Sequence, residues 1–318
     1  MKNSNKSRRT FLYFLIILHL MVILKWLLDQ WLYPVNPPPE TWKFVLMYYC
    51  LILFVTSVVI VAKYTIHNNE TIFLLNSALQ IEQDVMVQGS DVAQLYYIGL
   101  NAISTASVVL MPINCCVFAL RQPCMPPVVT SAIYLESSIM CAGTFTVTVV
   151  LTYPSQVKVI LLGSMNRDLN TGGPHVSSCL RKYRILELLV DMHNLVLKQP
   201  VMSALVGCVT TLESFTLYIV IASRSVVPLP LLLLFAAVAV SMFFVIVRLF
   251  KMMSNPFIKS VELLNSLKRM NESKQIKRCV QSFREAKLTL GDGKFFDTST
   301  SLVIWAKCID LLITFLLT

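Results

Sequence analysis

Long apolar runs alternate with polar, basic stretches along this chain, and the alternation predicts helices that cross a membrane. About 20 mostly apolar residues cover the hydrocarbon core of a bilayer. Runs of that length fall at residues 11–31, 42–62, 94–120, 127–153, 202–223, 227–250 and 300–318. The pattern therefore reads as all-α, a polytopic membrane protein with seven transmembrane helices. The first run is too long for a signal peptide and lacks a small-residue cleavage site, so it is expected to be a retained anchor.

The stretches between the spans carry a second pattern. Around residues 176–200 and 254–290, apolar positions recur at helical spacing: Ile185, Leu188, Leu189, Met192 and Leu195 in the first, Val261, Leu264, Leu267, Ile276, Val280 and Phe283 in the second. One-faced helices need a covering surface, and two remain open, another protein face or an anionic lipid surface. The glycine-containing stretch at residues 163–175 does not follow a strand and has no Lys-Ser/Thr after its glycines, so it reads as a flexible connector and not a phosphate loop.

Charge orients the pattern. Lys2, Lys6, Arg8 and Arg9 precede the first run, and most other basic residues fall between the second and third, fourth and fifth, and sixth and seventh runs. The positive-inside rule then gives a cytoplasmic N-terminus, an extracellular C-terminus and helical cytoplasmic extensions. It also accounts for the net charge of +10 without a nucleic-acid partner.

Composition agrees: of 318 residues 56% are hydrophobic and 14% charged, and the mean hydropathy is +0.67, which excludes an ordinary soluble globule. The four histidines (His19, His67, His175, His193) lie on separate segments, and no nucleophile elbow, His-Glu-x-x-His or paired Cys-x-x-Cys occurs. No catalytic activity, metal or cofactor is expected. Most of the nine cysteines read as small buried residues; one disulfide between Cys124 and Cys115 or Cys116 stays open.

The informative residues are ionisable groups inside the apolar runs, because such groups are costly at bilayer depth. Lys25 and Asp29, four apart near a span end, are expected to pair and snorkel. Glu136 and Glu213, with Tyr48, Tyr49, Tyr134 and Tyr218, either line a small-molecule pocket in the outer halves of the spans or bond across helix contacts. In the last run Thr300, Lys307, Asp310, Thr314 and Thr318 share one arc of a helix. That stripe faces either a neighbouring helix or a water path, and the second requires several copies around an axis.

The stretch GKFFDTSTSL, with Phe295, Phe296, Asp297, Ser301 and Leu302, resembles the entry to the last span of arthropod gustatory receptors, in the chemoreceptor superfamily they share with odorant receptors. Thr314-Phe315 is similar to the Thr-Tyr that opens the family signature, and the Gln-Phe that closes it does not occur in this sequence. The resemblance implies a multi-pass plasma-membrane receptor, a ligand-gated, non-selective cation channel built as a homo- or hetero-tetramer. It also implies a pore lined by the seventh helix, with the signature region on residues 314–318, cytoplasmic helices that anchor the subunits together, and a tastant or odorant pocket among the residues named above. Lys307 departs from it, since four ammonium groups around one axis repel cations unless Asp310 offsets them. Two other classes remain open. A G-protein-coupled receptor needs the reverse topology and motifs that are absent here; a small-solute transporter would use the intramembrane carboxylates for its coupling ion.

Overall fold

A computed structural model describes residues 2–33, 41–85, 133–170, 176–197, 200–222, 224, 226–270, 273–291 and 293–317. The run at residues 94–120, with Cys115, Cys116 and Cys124, lies outside the described residues, as does Thr318. The described chain is almost wholly helical: α1 (Lys2–Leu32), α2 (Thr41–Ile66), α3 (Asn68–Val85), α4 (Ile133–Asn170), α5 (Val176–Leu197), α6 (Val201–Ala222) and α7 (Leu229–Phe244). A π-helical turn (Val245–Leu249) carries α7 directly into α8 (Phe250–Arg269). Then come α9 (Lys274–Ser282), a small hairpin of β1 (Thr289–Gly291) and β2 (Lys294–Phe295), and α10 (Thr300–Leu317).

Among the described residues four stretches are long and apolar enough to cross a membrane: Lys43–Ile66, Val201–Ala222, Phe235–Arg269 and Thr300–Leu317. They give the chain the character of a helical membrane protein.

The apolar half is knit by helix pairs. Ile23 and Leu27 of α1 bury against Met47 and Phe54 of α2, and Trp26 tilts onto Phe44 at 5.5 Å. A second core joins α2, α6, α8 and α10 through Ile60, Val209, Phe250, Phe296 and Ile304. Two contacts in register, Ser214 with Cys308 and Tyr218 with Phe315, show that α6 and α10 run parallel.

The basic half is a separate core. Leu162, Tyr183, Leu186, Leu263, Leu267 and Phe283 bring α4, α5, α8 and α9 together. The face read from the sequence around residues 261–283 is thus covered by protein, whereas on α5 Ile185, Leu188 and Leu195 of the expected face are exposed and the covered side is that of Tyr183, Leu186, Leu189, Val190 and Val196. Residues 68–85, for which no element is read from the sequence, form α3, whose Leu74 and Ala78 are buried one helical turn apart against α4 and α5. Two expectations need correction here. Residues 163–170 are not a flexible connector but the last turns of α4, where Leu161, Leu162 and Met165 bury against α5. The helical region expected to residue 290 stops at Ser282, since Phe283 turns the backbone into an extended conformation.

The extended segment that follows is held by side chains in place of a sheet. Arg284 N–H donates to Glu187 Oε1 (2.8 Å), Ala286 N–H to Ser260 Oγ (3.0 Å) and Thr289 N–H to Asn194 Oδ1 (2.9 Å), while Asn194 Nδ2 donates to the carbonyl of Lys287 (2.9 Å). Tyr183 Oη donates to the Arg284 carbonyl at 2.8 Å and its ring stacks on Phe283 at 4.6 Å. Buried main-chain groups must find partners, and here α5 and α8 supply them. The strap then delivers the chain to the start of α10.

Candidate functional site

The entry to α10 is built from GKFFDTST. Gly293 takes a positive φ of 75° that closes the β1–β2 hairpin, a conformation open to glycine at no steric cost. Phe296, fully buried, packs on Phe250 at 5.7 Å and so fixes where the helix begins. Asp297 caps it: Oδ1 accepts from Thr300 Oγ1 (2.7 Å), Ser299 N–H (3.0 Å) and Ser299 Oγ (2.9 Å), and Asp297 N–H donates back to Thr300 Oγ1 (2.9 Å). These hydrogen bonds, that from Thr300 foremost, hold the Asp297 carboxyl below its ordinary range. Thr300, read as the foot of the polar stripe, is a buried cap partner.

From that start one side of α10 meets the rest of the chain. Ile304 and Cys308 are buried, Ser214 Oγ of α6 donates to the Cys308 carbonyl (3.0 Å), Phe215 stacks on Phe315 (4.9 Å), and Phe243 of α7 sets its ring edge-on to Trp305 (5.2 Å). The opposite side carries Val303, Lys307, Asp310, Ile313 and Thr314, all exposed. Lys307 Nζ donates to Asp310 Oδ2 at 3.3 Å, with the two side chains 69% and 65% exposed, and Thr314 Oγ1 donates to the Asp310 carbonyl at 2.9 Å.

The middle of the stripe is therefore turned away from the described helices of the chain. A charged residue at the centre of a lipid-facing helix costs about 2.5–3.5 kcal/mol on insertion scales. Mutual pairing offsets part of that for Lys307 and Asp310; water or a second protein surface would offset the rest.

The other sequence-selected residues scatter. Glu213 is buried on α6, 1% exposed, and its Oε2 has no hydrogen-bond partner. Tyr218, one turn on, sets its ring edge-on to Phe315 (6.3 Å). Tyr49 meets Phe235 of α7 edge-on at 6.2 Å, and Tyr48 beside it is exposed. Tyr134 and Glu136 lie in the first turn of α4, and their side chains are outside the described residues.

A cavity of about 460 Å³ lies elsewhere, between α5 and the strap, lined by Glu187, Asp191, Asn194, Arg284, Lys287 and Thr289 among others. No local pattern signals it, because its walls come from segments about 100 residues apart that pair only once the strap is laid down. Lys158 of α4 and His193 of α5, in hydrogen-bond contact at 2.6 Å and both fully buried, were legible only as a basic residue of the inner side and a solitary histidine.

No protein-family model matches this chain, and no curated protein matches it.

Proposed function

We propose that this chain is a chemosensory receptor of the gustatory type, a subunit of a ligand-gated ion channel in the plasma membrane. In this reading it has seven spans, a cytoplasmic N-terminus and an extracellular C-terminus. Four copies, alone or with related subunits, set α10 around a shared water path, while α5, α8 and α9 form the cytoplasmic anchor. A tastant or odorant binds among the outer halves of spans two to six, near Tyr49, Glu213 and Tyr218.

The observation that carries the reading is the Lys307–Asp310 pair, paired within one turn and exposed on the side of α10 away from α6. A pair at that depth, about 11 Å past the start of the helix, is stable facing water or another subunit and costly facing lipid. The parallel course of α6 and α10 is what odd-numbered spans require.

The test is single-cysteine accessibility in intact cells. Cysteines replacing Lys307, Asp310 or Thr314 should react with a membrane-impermeant thiol reagent, and a cysteine replacing Ile304 should not. With an active ligand, Lys307→Gln should change conductance or selectivity. Unreactive cysteines at all three stripe positions in a surface-expressed protein would reject the water path.

One observation favours a second reading. A buried carboxyl such as that of Glu213, whose Oε2 has no hydrogen-bond partner, is what an ion-coupled carrier uses to bind a proton or cation. Solute uptake that follows an ion gradient and is lost in Glu213→Gln, with no ligand-gated current, would favour the carrier.

A further inference from the structure

Pro154 interrupts α4 just beyond the end of its apolar run, in the sequence Thr152-Tyr153-Pro154-Ser155. Proline has no N–H, so the Val150 carbonyl loses its intrahelical donor. Ser155 Oγ donates to the neighbouring Leu151 carbonyl at 2.9 Å. His193 of α5, in contact with Lys158 one turn beyond the break, is fully buried, and its Nε2 has no hydrogen-bond partner.

Lys158, one turn beyond Pro154, brings Nζ to 2.6 Å from His193 Nδ1. Both side chains are 0% exposed, among Val150, Tyr153, Val157, Leu189 and Val196. Two basic groups thus share one dry contact between two helices.

Among the described residues the surroundings supply no counter-charge. From α3, Glu82 is buried, but its Oε2 accepts from Tyr153 Oη. From α2, Tyr64 Oη is buried without a partner. Lys251 and Lys259 of α8 are exposed. On α5, Glu187 accepts from Arg184, and Asp191 pairs with Arg284 on the outer side. Among the described residues no carboxylate acts on Lys158: burial alone holds its ammonium well below the usual range. Burial first, and the Lys158 charge second, hold His193 well below its own.

The contact has room for one proton beyond neutrality and not for two. Nδ1 accepts from Lys158 only while the imidazole is neutral, with its own proton on Nε2, which has no hydrogen-bond partner. A second proton removes that acceptor and sets two positive charges side by side out of water.

We propose that Lys158 and His193 form a proton-binding site that holds α4 to α5 while it carries at most one positive charge and releases them when it carries two. The site senses acidity on the aqueous side where α5 lies, and it requires nothing about what the chain conducts or binds.

The sign of the effect follows from linkage. The unfolded chain binds a proton at lysine below about 10.5 and at histidine below about 6.5, and the folded chain resists both. Stability therefore falls as pH falls, until the folded pair itself titrates.

The experiment compares the melting temperature of the detergent-purified full chain between pH 8.5 and 5.5. Wild type should lose stability on acidification. Lys158→Met, which fills the same space without a proton, should lose clearly less, and Lys251→Met, an exposed control, should track wild type. In wild type, hydrogen exchange corrected for intrinsic rates should rise on acidification in residues 150–158 and 186–196. This second measurement decides the matter if Lys158→Met does not fold. Parallel pH slopes in wild type and Lys158→Met, or unchanged protection of both segments, would overturn the proposal.

Discussion

Ser214 of α6 donates its hydroxyl proton to the main-chain carbonyl of Cys308 on α10, and this contact lies on the covered side of the last helix, with the Phe215–Phe315 and Phe243–Trp305 ring contacts. Cys308 lies between Lys307 and Asp310 in sequence but faces the other way, so seating it on α6 turns both charges outward. Ser214 also bonds the Thr210 carbonyl within its own helix, so its hydroxyl is shared. Interhelical hydrogen bonds of this kind contribute about 0.6 kcal/mol on average within membranes. Ser214→Ala should therefore be mild. Ser214→Leu, which inserts bulk into a fully buried contact, should cost about 1–3 kcal/mol, read as a lower melting temperature and altered labelling of cysteines placed along α10.

The charge pair should be separable from the packing face. Asp310→Asn leaves Lys307 without its partner on an exposed face, so surface expression should fall more than in the double variant Lys307→Gln/Asp310→Asn. Quantitative surface labelling of the three proteins checks the order; equal loss in the single and double variants would show that the pair is not coupled.

At the foot of α10, Asp297→Ala should cost about 0.5–2 kcal/mol, the usual loss for a helix cap, since three hydrogen bonds from Ser299 and Thr300 end on Oδ1. The carboxyl is held below its ordinary range, so its stabilising contribution is present above that range and lost as pH falls through the lowered value. The variant should lack that part of the acid dependence in thermal unfolding. Asp297→Asn should retain part of the cap.

The strap offers a fourth measurement. Asn194→Ala removes the acceptor for Thr289 N–H and the donor to the Lys287 carbonyl together, at about 1–3 kcal/mol for main-chain groups left unsatisfied. Tyr183→Phe, which keeps the stack on Phe283 and loses one bond to Arg284, should cost about 0.5–1.5 kcal/mol. Faster proteolysis after residue 283 in the Asn194 variant, with a smaller change in the Tyr183 variant, is the expected order.

What the sequence revealed was local. α2, α6 and α10 were legible because a span needs only a continuous apolar run, which composition records directly. The cap of α10 is local too, since Asp297, Ser299 and Thr300 lie within four residues of one another, although Thr300 was read as part of the polar stripe and the cap itself was not read. α3 escaped notice because its apolar face is narrow and is covered by α4 and α5, which are distant in sequence. Residues 283–290 were mistaken for helix because Val280 and Phe283 continue the spacing of Ile276, while Glu187, Ser260 and Asn194 favour an extended backbone by offering it partners.

The candidate sites divide the same way. That Lys307 and Asp310 share a helix face follows from helical periodicity, a property of the chain alone. Which way the face points was decided by Ser214, Phe215 and Phe243, contributed by other helices. The contact of Lys158 with His193 was decided wholly by tertiary packing, because 35 residues and a turn of chain separate the two groups. The sequence by itself determined apolar length, helical period and capping, which depend on neighbours within a few residues. Only the tertiary structure decided which polar groups were buried together and which were left facing outward, because burial depends on partners that local order cannot name.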